Sequence, residues 1–353
     1  MSTLFTPFQQ AKIRFRNRLG MSPMCMYTAV DGKANDWHLA HYVSRAQGGA
    51  GLILMEATAV SPEGRISPGD LGLYHDNQIE PLVHINQMIH EQDCISGVQL
   101  AHAGRKAGHA KPWQGNAALY APDWPWNRLA PSVLPFDEGE PMPQAMTEED
   151  IDRLTTAFVD ATRRAKLAGF RLLEIHAAHG YLFHEFLSPL SNHRTDSYGG
   201  SFENRIRFLL QVTRAVRAEW PAEFPLWVRI SASDWTSGGW SLEESIALAK
   251  RLKAEGVDLI DVSSGGNVAG AQIPIAPGYQ VAFSEAIRKE AEVATATVGL
   301  ITDASQAERI LSDGKADVVL LGRPLLQNPY LPQSWAKELE SELPLPKQYL
   351  RGW

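Results

Sequence analysis

The residues best placed to do chemistry lie in His176-Ala177-Ala178-His179-Gly180-Tyr181, directly after the apolar run Leu172-Leu173-Glu174-Ile175. Two imidazoles and a phenol leaving one strand end form a set of hydrogen-bond donors and proton carriers. Core packing does not call for such groups, because buried polar tips must find partners. Histidines at i and i+3 could also bind zinc or sit as satisfied core residues. Against zinc, they lack a His-Glu-x-x-His frame and an evident third ligand. Arg229 lies inside the apolar run Leu226 to Ser231. A guanidinium buried there needs an anion or a set of hydrogen-bond acceptors. Of the two cysteines, Cys94 reads as structural. Cys25 reads either as a small buried hydrophobe or as a functional thiol, with no adjacent base to make it a nucleophile.

A rhythm of short apolar runs and longer amphipathic stretches must position these groups. The runs are Leu19 to Ser22, Gly51 to Ala57, Gly97 to Ala101, Leu172 to Ile175, Leu226 to Ser231, Leu259 to Ser263, Ala296 to Ile301 and Val318 to Leu321. Most are continuously apolar, as parallel strands covered on both faces are. Helical periodicity occupies Ile79 to Glu91, Glu203 to Glu219, Leu242 to Glu255, Ser284 to Ala291 and Ser305 to Leu311. A further helix opens with the capping box Thr147-Glu148-Glu149-Asp150 and stops at Gly169. Gly169, Gly256 and Gly314 each fall where a helix ends before the next strand. Eight strand–helix units predict a single α/β domain over residues 1–353, a (β/α)8 TIM barrel with mouth-side loop insertions. A doubly wound sheet is the rival, but no Gly-x-Gly-x-x-Gly follows any strand.

Two segments break the rhythm. Residues 111–143, rich in Pro, Trp and Asn, follow the third strand and make a candidate capping loop; its part 111–137 carries Trp113, Trp124 and Trp126. Leu190 to Asn204 forms a second mouth-side loop. The tail 344–353 reads as non-helical and carries Arg351 between aromatics.

Composition narrows the function classes. A net charge of −7 and 44% hydrophobic residues argue for a large core and against a nucleic-acid or anionic-membrane partner. Two cysteines cannot build a disulfide framework, a Cys₄ zinc site or an iron–sulfur site. There is no signal-peptide pattern and no long uncharged apolar run, so the expected location is cytoplasmic.

The strand ends deliver Ser22, Pro23, Met24, Cys25, Met26 and Tyr27; Glu56 and Ala57; Gln99, His102, Arg105 and Lys106; His176, His179 and Tyr181; Arg229; Ser263 to Gly266; Gly299 and Thr302; and Gly322 and Arg323. Glycines after the seventh and eighth strands stand where barrels bind phosphate. Glutamine and arginine at the mouth suit a flat ring with carbonyl and amide edges, such as an isoalloxazine.

On these residues the whole chain resembles the Old Yellow Enzyme family of FMN-dependent ene-reductases, and within it the bacterial thermophilic-like subgroup. The resemblance rests on seven segments in order: Ser22 to Tyr27, Glu56 to Val60, Gln99 to Lys106, Glu174 to Leu182, Ser188 to Asn192, Val228 to Ser231 and Arg351 to Trp353. It implies FMN as cofactor and NADPH as co-substrate, with NADH the alternative reductant. Ser22, Pro23, Met24, Cys25, Ala57, Gln99 and Arg229 are then FMN contacts, and Gly299, Gly322 and Arg323 surround its phosphate. It further implies that His176 and His179 bind the activating oxygen of a small-molecule activated alkene, that Tyr181 donates the proton, and that Tyr27 closes over the substrate. Cys25 tunes the flavin potential. Arg351 reaches a neighbouring subunit's active site, which makes the protein a dimer or tetramer. No metal is expected. Two alternatives stay open: a 2,4-dienoyl thioester-type flavin reductase lacking the extra domains, and a metal-dependent barrel hydrolase. The 111–137 loop and Val268 to Tyr279 lie where substrate range is set.

Overall fold

The computed structural model describes residues 2–352. The chain opens with an antiparallel hairpin, β1 (Phe8–Gln10) and β2 (Ile13–Phe15), and then alternates: β3 (Leu19–Met21), α1 (Asp36–Gln47), β4 (Leu52–Ala59), α2 (Ile79–His90) and β5 (Ile95–Ala101). Two very short strands, β6 (Leu129–Ala130) and β7 (Gln144–Ala145), pair in the long segment after β5. Then come α3 (Glu148–Leu167), β8 (Leu172–Ala177), α4 (Leu182–Leu187), α5 (Phe202–Arg205), α6 (Arg207–Glu219), β9 (Leu226–Ser231), α7 (Leu242–Ala254) and β10 (Leu259–Ser263). The chain finishes with α8 (Val281–Glu290), β11 (Ala294–Thr297), α9 (Ala304–Ser312), β12 (Val318–Leu321), α10 (Arg323–Gln327) and α11 (Leu331–Glu338).

Strands β3, β4, β5, β8, β9, β10, β11 and β12 close into one parallel barrel. This is the (β/α)8 barrel that the eight runs predict. The α3 capping box forms as read: the Thr147 hydroxyl accepts the Asp150 N–H at 3.1 Å and the Asp150 carboxylate accepts the Thr147 N–H at 2.9 Å. Gly169, Gly256 and Gly314 each adopt positive φ after their helices, a conformation open to glycine at little cost.

Some boundaries differ from the pattern. The fourth barrel strand runs on to Ala177, so His176 belongs to the strand itself. The seventh ends at Thr297; Gly299 and Leu300 have φ of 115° and 49° and turn the chain out of the ladder. The helix read over Glu203 to Glu219 is two helices, broken at Ile206. The tail read as non-helical holds one 3₁₀ turn at Lys347–Tyr349. Sequence periodicity gave no sign of the β1–β2 hairpin, α1, α4, α10 or α11.

Inside the barrel, side chains stack in layers. The lower layer is apolar: Leu52, Leu172, Trp227, Leu259 and Leu320 pack on Ile13 and Phe15, which plug the barrel from below. The Trp227 indole N–H donates to Gln10 Oε1 at 2.6 Å, fastening the hairpin to the floor. Register places Gln99 beside Glu174, and Arg229 between His176 and Asp261, so a polar layer lies directly above. Trp227→Ala should therefore destabilise the fold by about 3–5 kcal/mol. Chemical denaturation checks this, and a loss under about 1 kcal/mol would show that the hairpin plug is not part of the barrel core.

Candidate active site

At the carboxyl ends of the strands a cavity of about 460 Å³ opens between β3, β11 and β12. Ser22, Pro23, Met24, Arg229, Gly299, Thr302, Gly322 and Arg323 line it, together with Tyr279, Gln280 and Gln327. All three sequence-predicted phosphate contacts and four of the ring contacts, Ser22, Pro23, Met24 and Arg229, thus meet in one place. Ala57, Gln99 and Cys25 are not on its wall. Ala57 faces a small void beside Tyr181, Cys25 follows Met24 along the rim, and Gln99 lies one layer deeper against Glu174.

The cavity chemistry suits a nucleotide-like flavin. No acceptor among the described residues takes the backbone N–H groups of Gly299 or Gly322. Gly299 has φ +115°, a backbone conformation that favours glycine. Arg323 is exposed at the rim and pairs with no carboxylate among the described residues. Free N–H groups and an unpaired cation at strand ends are what an anionic phosphate needs. At the other end, Arg229 is only 5% exposed and donates from Nη1 to Ser22 Oγ at 3.1 Å.

His176, His179 and Tyr181 gather beside this cavity. The His176 ring stands edge-on to His179 and to Tyr181, with centroids 5.2 and 5.1 Å apart. His176 Nδ1 accepts the Ala178 N–H at 3.3 Å, which leaves the proton of the neutral ring on Nε2. His179 has φ +60°, held by its N–H donating to Ser231 Oγ at 2.9 Å and by Lys106, whose ammonium donates to the His179 and Gly266 carbonyls. Gly180 and Gly266 allow this turn to pack against the loop after β10: a Cβ on Gly180 would lie 2.2 Å from the Gly266 oxygen. His179 Nε2 lies 2.7 Å from Ser263 Oγ. Burial, then the nearby Arg229 charge, holds both imidazoles well below the ordinary histidine range. Burial likewise pushes the Tyr181 phenol well above its ordinary value. The site therefore presents two neutral imidazoles and one protonated phenol at neutral pH.

Tyr27, itself at φ +54°, has Trp113 of the 111–143 segment edge-on at 5.9 Å. Trp113 is 65% exposed, so the loop reaches the mouth without being locked into the core. Burial, with the Asp70 and Glu56 charges, raises the Cys25 thiol well above its ordinary value. At neutral pH Cys25 is a thiol, not a thiolate nucleophile. His102 and Arg105, delivered by the third barrel strand, point elsewhere: Arg105 ties Pro135 of the capping segment to Asn267. Asn192 and Arg194 serve as scaffold, bonding to the carbonyls of Phe186, Tyr198 and Met146. Arg351 does not approach the cavity. It is exposed on a tail whose Leu350 lies in a groove with Phe5, Arg14 and Arg16, on the hairpin side of the barrel. Trp353, which flanks it, lies outside the described residues. Among those residues no group of three His, Cys, Asp or Glu is placed to hold a metal ion, and no helix is long and apolar enough to cross a membrane.

Residues 3–342 match the NADH:flavin oxidoreductase / NADH oxidase family. The chain is 49% identical over 354 residues to an NADPH dehydrogenase of Geobacillus thermodenitrificans, covering 100% of this chain and 99% of that protein. It is 49% identical to an NADPH dehydrogenase of Bacillus subtilis, covering 99% of each. Among solved structures it is similar to morphinone reductase, with TM-score 0.80 and 29% identity over 98% of this chain and 92% of that one. It also resembles 2-naphthoyl-CoA reductase, with TM-score 0.86 and 25% identity, covering 95% of this chain but only 52% of that one.

Several structural partners escaped the sequence reading. Asp261 and Glu174 are ionisable groups buried inside apolar strands, the same signal that marks Arg229. Glu56, which the sequence offered only as a strand-end residue, has a structural role. At a bulge in β4 its carboxyl accepts the Tyr42 hydroxyl at 2.7 Å and the Met26 N–H at 2.9 Å, which anchors the segment carrying Cys25 and Tyr27. Burial pushes Glu56 up to about 8, and burial holds the neighbouring His38 down at about 4. A carboxyl raised on folding favours the native state below its unfolded value, and that stability fades as pH rises through about 8. Glu56→Gln removes the titration. Urea denaturation should then show a smaller loss of stability between pH 5 and 8 than in the unaltered protein; an unchanged loss would place the effect elsewhere.

Proposed function

Because the chain belongs to the NADH:flavin oxidoreductase / NADH oxidase family, we propose that this NADPH dehydrogenase of Old Yellow Enzyme type reduces activated alkenes, namely α,β-unsaturated carbonyl or nitro compounds. The observation that carries the reading is the trio of two neutral imidazoles and one protonated phenol beside a cavity suited to a flavin. Its flavin is FMN and its reductant NADPH. Arg323 and the N–H groups of Gly299 and Gly322 would hold the phosphate, and Arg229 with Ser22 to Met24 would hold the ring. Bound FMN supplies a hydride, taken from NADPH, to the β carbon of the alkene.

The protein's own groups do the rest. His176 Nε2–H and His179 Nδ1–H, the latter with Nε2 accepting from the Ser263 hydroxyl, donate to the activating oxygen and stabilise the negative charge that develops on it, the task of an oxyanion hole. Uncharged donors are sufficient here, because burial strengthens each hydrogen bond and an imidazolium would be strongly disfavoured in this site. Tyr181 carries its proton throughout the neutral range and gives it to the α carbon. Tyr27 and Trp113 exclude water above the substrate. Arg351 serves a second copy of the chain; its exposure on the side away from its own cavity supports that assignment.

Tyr181→Phe should slow alkene reduction by about 10²–10⁴-fold and leave reduction of the flavin by NADPH unchanged, as read by anaerobic stopped-flow absorbance of the two half-reactions. Equal losses in both would remove Tyr181 from the proton-donor role. His176→Ala should cost about 10²–10³-fold in the alkene step. The alkene step should be flat across neutral pH, since no group in the trio titrates there. An activity limb near the ordinary histidine pKa of about 6.5 would contradict the neutral-imidazole assignment.

A further inference from the structure

Below the cavity, Gln99, Glu174, Arg229 and Asp261 form a polar layer enclosed by the barrel, and both carboxyls are fully buried. Their hydrogen bonds do not close if every acid is ionised. Glu174 Oε1 accepts Gln99 Nε2 at 2.8 Å. Glu174 Oε2 and both Asp261 oxygens take no hydrogen bond from any donor. Arg229 Nε lies 3.2 Å from Asp261 Oδ2 as an ion pair, outside hydrogen-bond geometry, while its Nη1 is directed to Ser22. The unpartnered oxygens belong to two carboxyls close enough for each to perturb the other's titration. Two ionised carboxylates so close would be acceptors with no donor between them, carrying like charge in a low dielectric. One proton resolves both problems, as an acid O–H donating to a carboxylate.

Its location follows from the neighbours. Burial raises the Asp261 carboxyl as well, but the Arg229 cation that it faces opposes that and favours its ionised form. Glu174 faces only the Gln99 amide, Asp261 and the Arg229 charge beyond it. Burial, then the Asp261 charge, pushes the Glu174 carboxyl well above the usual carboxylate range. His176, beside Arg229 in the register, is neutral and adds no charge. The layer then sums to zero: one guanidinium, one carboxylate and one carboxylic acid.

We propose that Glu174 and Asp261 share a single proton resident on Glu174, and that the remaining Arg229–Asp261 pair sets the charge felt by the flavin and hence its midpoint potential. The second half of this assignment rests on the flavin reading above; the shared proton does not. Arg229 lines the cavity, so a change in the charge beneath it reaches the ring through one residue. A further negative charge would oppose electron uptake by the ring, and removal of one would favour it.

The test is a pair of near-isosteric variants with two readouts. Glu174→Gln keeps a neutral donor toward Asp261, so the flavin midpoint potential of the holoenzyme should show no shift. Asp261→Asn leaves Arg229 unbalanced and should shift the potential upward. An upward shift in E174Q comparable to that in D261N would mean that Glu174 is ionised, and would overturn the proposal. In the infrared difference between the unaltered protein and E174Q at neutral pH, one C=O stretch of a buried carboxylic acid should be lost, while the bands of other acids raised by burial, such as Glu56, cancel. A difference spectrum in which no carboxylic C=O stretch is lost would also overturn it. The band is read equally well on protein without flavin, so failure to bind FMN would sink the functional reading while leaving the shared proton decided.

Discussion

A guanidinium buried among parallel strands is the constraint around which this molecule is built. Arg229 sits on β9 between His176 and Asp261, above a floor of Leu172, Trp227 and Leu259. An unpaired charge there would cost several kcal/mol, so the barrel must supply an anion at the same height. Asp261 does so from the next strand, and Glu174 and Gln99 complete the layer from the other side. Everything below that layer is apolar packing plugged by Phe15; everything above it is chemistry.

The division explains why the two histidines and the tyrosine are placed as they are. His176 occupies the first inward position above the polar layer, on the strand itself, where register fixes its height relative to Arg229. His179 and Tyr181 follow in a turn whose left-handed residue and close glycine contacts are held by Ser231, Lys106 and the Gly266 loop. A rigid strand and a braced turn together keep the three rings in edge-on contact, which preserves their mutual geometry without help from a ligand. Burial then keeps the imidazoles neutral and the phenol protonated, so one environment prepares both the hydrogen-bond donors and the acid.

Much of this was legible in the chain. Apolar runs, most of them continuous as in strands covered on both faces, fell on all eight barrel strands, although the seventh run, Ala296 to Ile301, shares only Ala296 and Thr297 with β11. Glycines after the seventh and eighth strands marked one end of a cavity in which Ser22, Arg229 and Arg323 meet them. What remained hidden had physical reasons. The β1–β2 hairpin is three residues a side and too short for a period to register. The break at Ile206 interrupts a helix whose apolar stripe continues across it. Asp261 and Glu174 were present as ionisable residues within apolar runs, but their value lies in facing one another across β9, and strand pairing is not written in local sequence. Arg351 carries no local signal beyond its flanking aromatics, since its place is on the surface of its own chain.

The measurement that tests the account most directly is a visible absorption spectrum of the purified protein, followed under anaerobic conditions by NADPH and then by 2-cyclohexenone. The account predicts flavin bands that bleach with NADPH and return with the enone, because the cavity holds FMN and the histidine–tyrosine trio faces the alkene. A protein that takes up no flavin even when FMN is supplied, or whose bleached flavin is not restored by the enone, would contradict it.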